Sequence, residues 1–196
     1  MFTGIVAAVG RVHSVTESDM GRRIEIEGMD LFRDMAVGDS VAVNGVCLTA
    51  VAVRPDSVAV DVVQESLDRS NLGGLVAGSA VDLERPMPAN GRFDGHIVQG
   101  HVDGIGVVQS IDAEGEARRM RITLTEELAR YVVEKGSITV DGVSLTVTAA
   151  GDENWFEIVL IPHTLEVTVL GQRRIGDQVN LEMDVLAKYV ERLMSK

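Results

Sequence analysis

The sequence predicts a mainly β protein built from two homologous six-stranded barrels in tandem, followed by one C-terminal α-helix. Three observations carry this. Residues 40–49, SVAVNGVCLT, recur as residues 137–146, SITVDGVSLT, with six of ten positions identical. The Asn44-Gly45 and Asp141-Gly142 pairs within them sit between alternating apolar residues, the strongest short-range signal for a two-residue type I′ hairpin. Twenty glycines punctuate short Val-rich runs, the pattern of many tight turns.

Two further blocks repeat in the same order. Gly4, Val6, Gly10, Val12 and Ser14 match Gly100, Val102, Gly106, Val108 and Ser110; Leu67, Leu72, Gly73, Gly78, Val81, Leu83 and Glu84 match Leu165, Leu170, Gly171, Gly176, Val179, Leu181 and Glu182. Offsets of 96 to 98 mark a duplicated domain, since solenoid repeats run about 20 to 50 residues. The expected units are 1–90, 97–183 and a terminal helix over 184–196, with Pro86, Pro88, Gly91 and Gly95 at the joint.

Strands are expected near 4–15, 22–28, 40–43, 46–53, 57–63 and 79–85, and again near 100–111, 118–124, 137–140, 143–150, 155–161 and 177–183. Asp30 and Thr125 read as N-caps of short helices ending at Gly38 and Gly136. Closing six short strands on themselves removes the unpaired edges that promote aggregation. Behind a capping Asp184, Leu186, Tyr189, Val190 and Leu193 fall at helical spacing; this stripe packs either on its own barrel or between subunits.

Composition narrows the function. Eighteen basic against 30 acidic residues leave a net charge of −12, so a phosphate backbone would be repelled and nucleic acid is not expected as a partner. No run approaches the roughly 18 apolar residues of a membrane span, and the start lacks a basic n-region, so a cytoplasmic protein is expected. One cysteine, Cys47, allows neither an intramolecular disulfide nor a multi-cysteine zinc site. His13, His96, His101 and His163 lack metal-ligand spacing, and no metal is expected. The GHIVQGHVDGIG stretch lacks the strand-to-helix context of a phosphate loop.

Strand alternation assigns Val46 and Leu48, and likewise Val143, Leu145 and Val147, to the core. Cys47 and Thr49, and Ser144, Thr146 and Thr148, then share outer faces. Such polar side chains on one hairpin are usually just wetted, but the repetition points to a rigid platform for a flat polar ligand. His96 and His101 bracket the crossing between the halves, where a histidine can serve as acid or base or simply pack.

The ordered blocks MFTGIV, VNGVCLT, ESLDRSNLG, GHIVQGHVDG, KGSITVDGVSLTV and IPHTLEVTVLG resemble the riboflavin synthase family, alpha-subunit type, over essentially the full length. The resemblance implies Greek-key barrels, a homotrimer held partly by the C-terminal helix, and no cofactor. It implies dismutation of two molecules of 6,7-dimethyl-8-ribityllumazine to riboflavin and 5-amino-6-ribitylaminouracil, the final step of riboflavin biosynthesis, at sites between subunits. A non-catalytic lumazine- or flavin-binding antenna of the same fold is the alternative, and a β-barrel protein-interaction module a more distant one. Whether the chain joins lumazine synthase, the preceding enzyme, is left open.

Carried over by motif, a first pocket uses Gly4, Ile5, Val6, Cys47, Leu48, Thr49, Asp61, Val62, Val63, Gln64, Glu65 and Ser66. A second uses Gly100, His101, Val102, Lys135, Ser144, Leu145, Thr146, Leu160, Ile161, Pro162, His163 and Thr164. Phe2, Cys47, His101 and Ser144 are the expected catalytic residues, with Phe2 near the reacting rings. The departures Asn44 to Asp141, Cys47 to Ser144 and Glu65 to His163 imply two chemically unequal pockets.

Overall fold

The computed structural model describes residues 1–195; Lys196, the last residue of the expected helical segment, lies outside the described residues. Strands β1 (Ala8–Ser18), β2 (Gly21–Glu27), β3 (Ser40–Val43), β4 (Val46–Val53), β5 (Ser57–Val63) and β6 (Ala80–Glu84) close a barrel in the antiparallel order β1-β2-β5-β4-β3-β6. Strands β7 (Gly104–Glu114), β8 (Ala117–Thr123), β9 (Ser137–Val140), β10 (Val143–Gly151), β11 (Trp155–Leu160) and β12 (Gln178–Met183) close a second barrel with the same connectivity. Both are Greek keys. The equivalence extends to defects: the register slips between Val12 and Ser14 as between Val108 and Ser110, and between Ala50 and Ala52 as between Val147 and Ala149. Such bulges bend a strand enough for six to close.

Alternation fills each barrel as expected. Val41, Val43, Val46, Leu48, Val60 and Leu83 are buried in one core, and Ile138, Val140, Val143, Val147, Ile158 and Leu181 in the other. Short helices α1 (Gln64–Arg69), α2 (Glu126–Ala129) and α3 (Pro162–Val167) occupy the long connections, and α4 (Val185–Met194) ends the fold. Both hairpin tips adopt the type I′ conformation, with φ of 44° and 78° at Asn44 and Gly45 and 48° and 84° at Asp141 and Gly142.

Four expectations are corrected. β1 and β7 begin at residues 8 and 104, not 4 and 100, because Gly4 and Gly100 sit at φ of +76° and +77° and turn the chain off its own barrel. Both strands run three residues further than expected, as their hairpins with β2 and β8 stay paired to the turn. Asp30 lies inside a 3₁₀ turn, Met29–Phe32, whose cap is Gly28, and that turn stops well short of Gly38. α2 does begin after Thr125, yet it ends at Ala129 rather than Gly136.

The barrels meet about a pseudo-twofold axis on which repeat-equivalent residues face each other. Phe2 and Val98 form a β-bridge, with Phe2 N–H donating to Val98 at 2.7 Å. The hairpin tips touch so closely that a Cβ on Gly45 would lie 2.7 Å from the Gly142 nitrogen. Around them a buried polar clasp forms: Asn71 N–H donates to Asn180 Oδ1 (2.7 Å), Val169 N–H to Asp82 Oδ1 (2.9 Å), and Arg173 to Asp141 Oδ2 (2.6 and 2.9 Å).

In α4, Asp184 Oδ1 caps the helix by accepting the Leu186 N–H at 2.9 Å. The polar side is tethered to the second barrel through Lys188–Asp103 (2.6 Å), Arg130–Glu191 (3.1 Å) and Tyr131–Glu191. The apolar stripe faces away: Leu186, Tyr189, Val190 and Leu193 are 55 to 76% exposed. Of its two expected placements, packing on its own barrel is not the one observed.

Candidate active site

Two matching half-sites flank the pseudo-twofold, each made from one barrel's hairpin and the other barrel's lead-in segment. At the first, the Cys47 N–H on β4 donates to the Gly100 carbonyl at 2.8 Å. At the second, the Ser144 N–H on β10 donates to the Gly4 carbonyl at 2.7 Å. Added Cβ atoms on Gly100 and Gly4 would each come within 2.6 Å of the Cys47 or Ser144 Cβ, and both backbones lie in the left-handed region; only glycine fits. Anchoring follows the same crossing, since Val102 packs on the first core and Val6 on the second.

This corrects the expected grouping. Gly4, Ile5 and Val6 join Ser144, while Gly100, His101 and Val102 join Cys47. Repeat alignment could not reveal the exchange, because it matches one half with the other and is blind to which barrel a lead-in segment crosses to.

At the first half-site, Val46, Cys47, Glu65, Ser66, Arg69, Ser70, Gly100, His101 and Val102 line a cleft of about 190 Å³. Glu65 and Ser66 come from the first turn of α1, which starts directly off β5. Thr49 is exposed, whereas Leu48 and Val62 are core residues that can offer a ligand only their backbone. Val63 and Gln64 are exposed at the strand-to-helix turn. Asp61 is occupied: Arg23 grips it with two hydrogen bonds of 2.7 and 2.8 Å, which hold its carboxyl below the usual range.

At the second, the histidine beside Ser144 is His96 and not His101. Its Nδ1 lies 2.7 Å from Ser144 Oγ, and burial holds the imidazole below the ordinary histidine pKa. Kept neutral, the ring can accept the hydroxyl proton, the geometry of a nucleophile with its base. Its Nε2 is buried without a hydrogen-bond partner among the described residues. Sequence reasoning placed His96 at the crossing between halves; the repeat could not single it out, because the first half has no matching histidine. Leu145 is half-buried on the second core and Thr146 exposed. Leu160 is buried in the core, while Ile161, Pro162 and His163 are exposed and Thr164 half-buried at the start of α3. Lys135 is exposed, with φ of 64°, uncommon for a side-chain-bearing residue, and its N–H donates to Val147 at 2.8 Å.

Phe2 differs from the other expected catalytic residues. Its ring is wholly buried with Ala42 and Val98 beneath Cys47. It fastens the lead-in segment and presents no surface to a ligand. Among the described residues, no three His, Cys, Asp or Glu side chains are grouped to hold a metal ion. No described helix is long and apolar enough to cross a membrane.

Comparison with known proteins agrees with this duplicated architecture. A lumazine binding domain model matches residues 3–86 and again 99–184. A riboflavin synthase of Mycobacterium tuberculosis is 52% identical over 99% of this chain and 98% of its own length. Those of Actinobacillus pleuropneumoniae and Bacillus subtilis are 44% and 40% identical, over 100% of this chain and 91% of theirs. Crystal structures of LumP with riboflavin and with 6,7-dimethyl-8-(1'-D-ribityl) lumazine superpose with TM-scores of 0.86 and 0.84 at 26% and 25% identity, each covering 93% of this chain and 99% of the other. With both halves matched by the domain model and full-length relatives above half identity, the chain belongs to the riboflavin synthase family of duplicated lumazine-binding barrels.

Proposed function

We propose that the chain is a riboflavin synthase, a transferase that converts two molecules of 6,7-dimethyl-8-ribityllumazine into riboflavin and 5-amino-6-ribitylaminouracil. One observation carries the reading to this chain: it holds two matched half-sites, Cys47 with Gly100 and Ser144 with Gly4. A reaction that moves a four-carbon unit between two identical molecules needs a pair of equivalent sites. Donor and acceptor are the same compound, so the dismutation is redox-neutral overall. Aligning two bound reactants supplies the main acceleration, for which effective molarities reach ~10⁵ to 10⁸ M.

In this reading one lumazine loses a proton from its C7 methyl group, and the other is attacked at C7 by a nucleophile or water. The Ser144–His96 pair suits activation of that nucleophile, and Cys47 beside His101 suits proton transfer at the partner pocket. Their inequality supports unequal roles for the two sites.

The assembly we propose is a homotrimer in which the first barrel of one subunit meets the second barrel of a neighbour. A cleft of about 190 Å³ is smaller than the roughly 300 to 1,000 Å³ of ordinary ligand pockets, as expected of half a site. The uncovered stripe of α4 and the groove of about 590 Å³ beside it supply apolar surface for the contact. Mixing the protein with 6,7-dimethyl-8-ribityllumazine and following flavin absorbance tests the activity. Binding without turnover would leave an antenna protein, and no binding would end both readings.

A further inference from the structure

Glu84 on β6 and Glu182 on β12 are equivalent in the repeat, and both are buried, at 7% and 2% exposure. Neither carboxylate makes an ion pair within 4 Å among the described residues. Each instead accepts two backbone N–H groups, adjacent for Glu84 and one residue apart for Glu182, from the lead-in segment of its own barrel. Glu84 Oε1 takes the Thr3 N–H (2.7 Å) and hydroxyl (3.1 Å), and Oε2 the Gly4 N–H (3.1 Å). Glu182 Oε1 takes the Gln99 N–H (2.7 Å) and Oε2 the His101 N–H (2.9 Å). Two oxygens gripping two amides so close along the chain fix both the position and the tilt of that stretch of backbone. The Gly4 carbonyl that accepts from Ser144 is on the same residue as the gripped Gly4 N–H, and the Gly100 carbonyl that accepts from Cys47 shares its peptide with the gripped His101 N–H.

Barrel closure does not require a charge here. A buried carboxylate is costly to desolvate, and an apolar residue of similar volume often serves stability as well or better. What the carboxylate provides is an acceptor for two N–H groups at once, through charge-assisted bonds about twice as strong as neutral ones.

We propose that Glu84 and Glu182 are crossed positioning residues: each is rooted in one barrel and sets the half-site of the other, Glu84 that of Ser144 and Glu182 that of Cys47. The ligand identity rests on the function proposed above, whereas the crossing stands on the hydrogen bonds alone. A glutamine in either place would turn an amide NH₂ towards an N–H and release one arm of the grip.

Amide hydrogen exchange tests this in the full-length chain. Glu84→Gln should speed exchange at Ser144 by about tenfold or more and leave Cys47 near the parent rate. Glu182→Gln should do the reverse. Core amides such as Ile24 and Ile122 serve as the folding control; should a glutamine variant unfold, Glu84→Asp and Glu182→Asp, which keep the charge but shorten the reach, should give the same crossed pattern. Equal acceleration at both amides, or acceleration confined to the variant's own barrel, would overturn the proposal.

Alkylation of Cys47 by iodoacetamide adds a readout that loss of global stability would not split between the two variants. With riboflavin as the probe, protection of Cys47 should persist in Glu84→Gln and weaken about tenfold in Glu182→Gln. Loss of protection in Glu84→Gln alone would count against the crossing. Absence of protection even in the parent would sink the ligand reading, while the exchange pattern would still decide the crossing.

Discussion

Ser144 and Cys47 sit at the same point of the repeat and donate the same backbone bond to a crossing glycine, yet only Ser144 has an imidazole within hydrogen-bond reach of its side chain. That difference makes Ser144 the better candidate for an activated nucleophile. Ser144→Ala is expected to lower turnover by about 10²- to 10⁴-fold with the fold intact, since the side chain lies outside the barrel core. Because burial holds His96 below its ordinary pKa, its basic form persists into mildly acid solution, and the acid limb of kcat should lie below pH 6.5. His96→Gln should remove that limb, and a profile of unchanged shape would take His96 out of the proton transfer. Gly100→Ala meets both a positive φ and the Cys47 Cβ at 2.6 Å, so it should cost about 1 to 3 kcal/mol in denaturant unfolding and weaken riboflavin binding beside Cys47. Much of this site was readable residue by residue. Alternation put Cys47 and Ser144 on outer faces because a strand's period is two regardless of context, and the motif carried the lead-in glycines. Their partners were not readable, since a contact spanning some 50 to 140 residues leaves no local pattern.

The elements show where local chemistry decides structure and where packing overrides it. Asn44-Gly45 and Asp141-Gly142 specify their turns because few residues besides Asn, Asp and Gly accept two successive positive φ values. The starts of β1 and β7 depend on the neighbouring barrel, and the turns at Met29–Phe32 and Glu126–Ala129 are set by how Phe32 and Leu128 pack on their own cores, so pattern misplaced them. The clasp between barrels contains an inversion that the aligned repeat held but that hairpin reading did not use: Asn44 faces Asp82 in one half, and Asp141 faces Asn180 in the other. Asp141 gains Arg173 at 2.6 Å, whereas Leu75 is the repeat equivalent of that arginine on the other side. Asp82 is thus left with one oxygen bonded to Val169 and the other unpaired among the described residues. Burial, reinforced by the nearby Asp141, pushes its carboxyl up to about 8, against the pull of the Val169 N–H and Arg173. A raised folded-state pKa means the folded form holds the proton more tightly. Asp82 therefore favours folding most below about pH 4, and that contribution declines as pH rises towards 8. Asp82→Asn, which copies Asn180, should flatten this decline and raise stability at pH 8 by about 1 to 3 kcal/mol. Urea unfolding of both forms across that range checks it; parallel curves would mean that Asp82 is not protonated in the folded chain.

At the scale of the molecule, duplication explains both what one chain has and what it lacks. Matching blocks announced two barrels because each must bury the same alternating faces, and equal cores follow from equal patterns. The crossing of lead-in segments follows less directly. A twofold pairing of Phe2 with Val98 sends each segment over the other barrel, so neither half-site is complete without both domains. Yet the crossing sets the two half-sites on either side of the axis, the first on a cleft of only about 190 Å³, and does not by itself bring two ligands into contact. Transfer of a carbon unit requires ring-to-ring apposition, and a neighbouring subunit can supply it. The structural cue for such a neighbour is α4, which spends its polar side on Asp103, Arg130 and Tyr131 and leaves Leu186, Tyr189, Val190 and Leu193 uncovered. At ten residues α4 is too short to be stable alone in water, and one apolar stripe facing solvent adds nothing to its stability. Covered in an assembly, the still exposed part of those four side chains would gain about 1 to 2 kcal/mol each, enough to matter in an association. Deleting the helix from residue 185 onward should therefore shift the protein from the proposed trimer towards monomer in sedimentation and reduce turnover in step, while each monomer still binds riboflavin weakly. A helix-free monomer with undiminished turnover would mean that one chain closes both sites unaided.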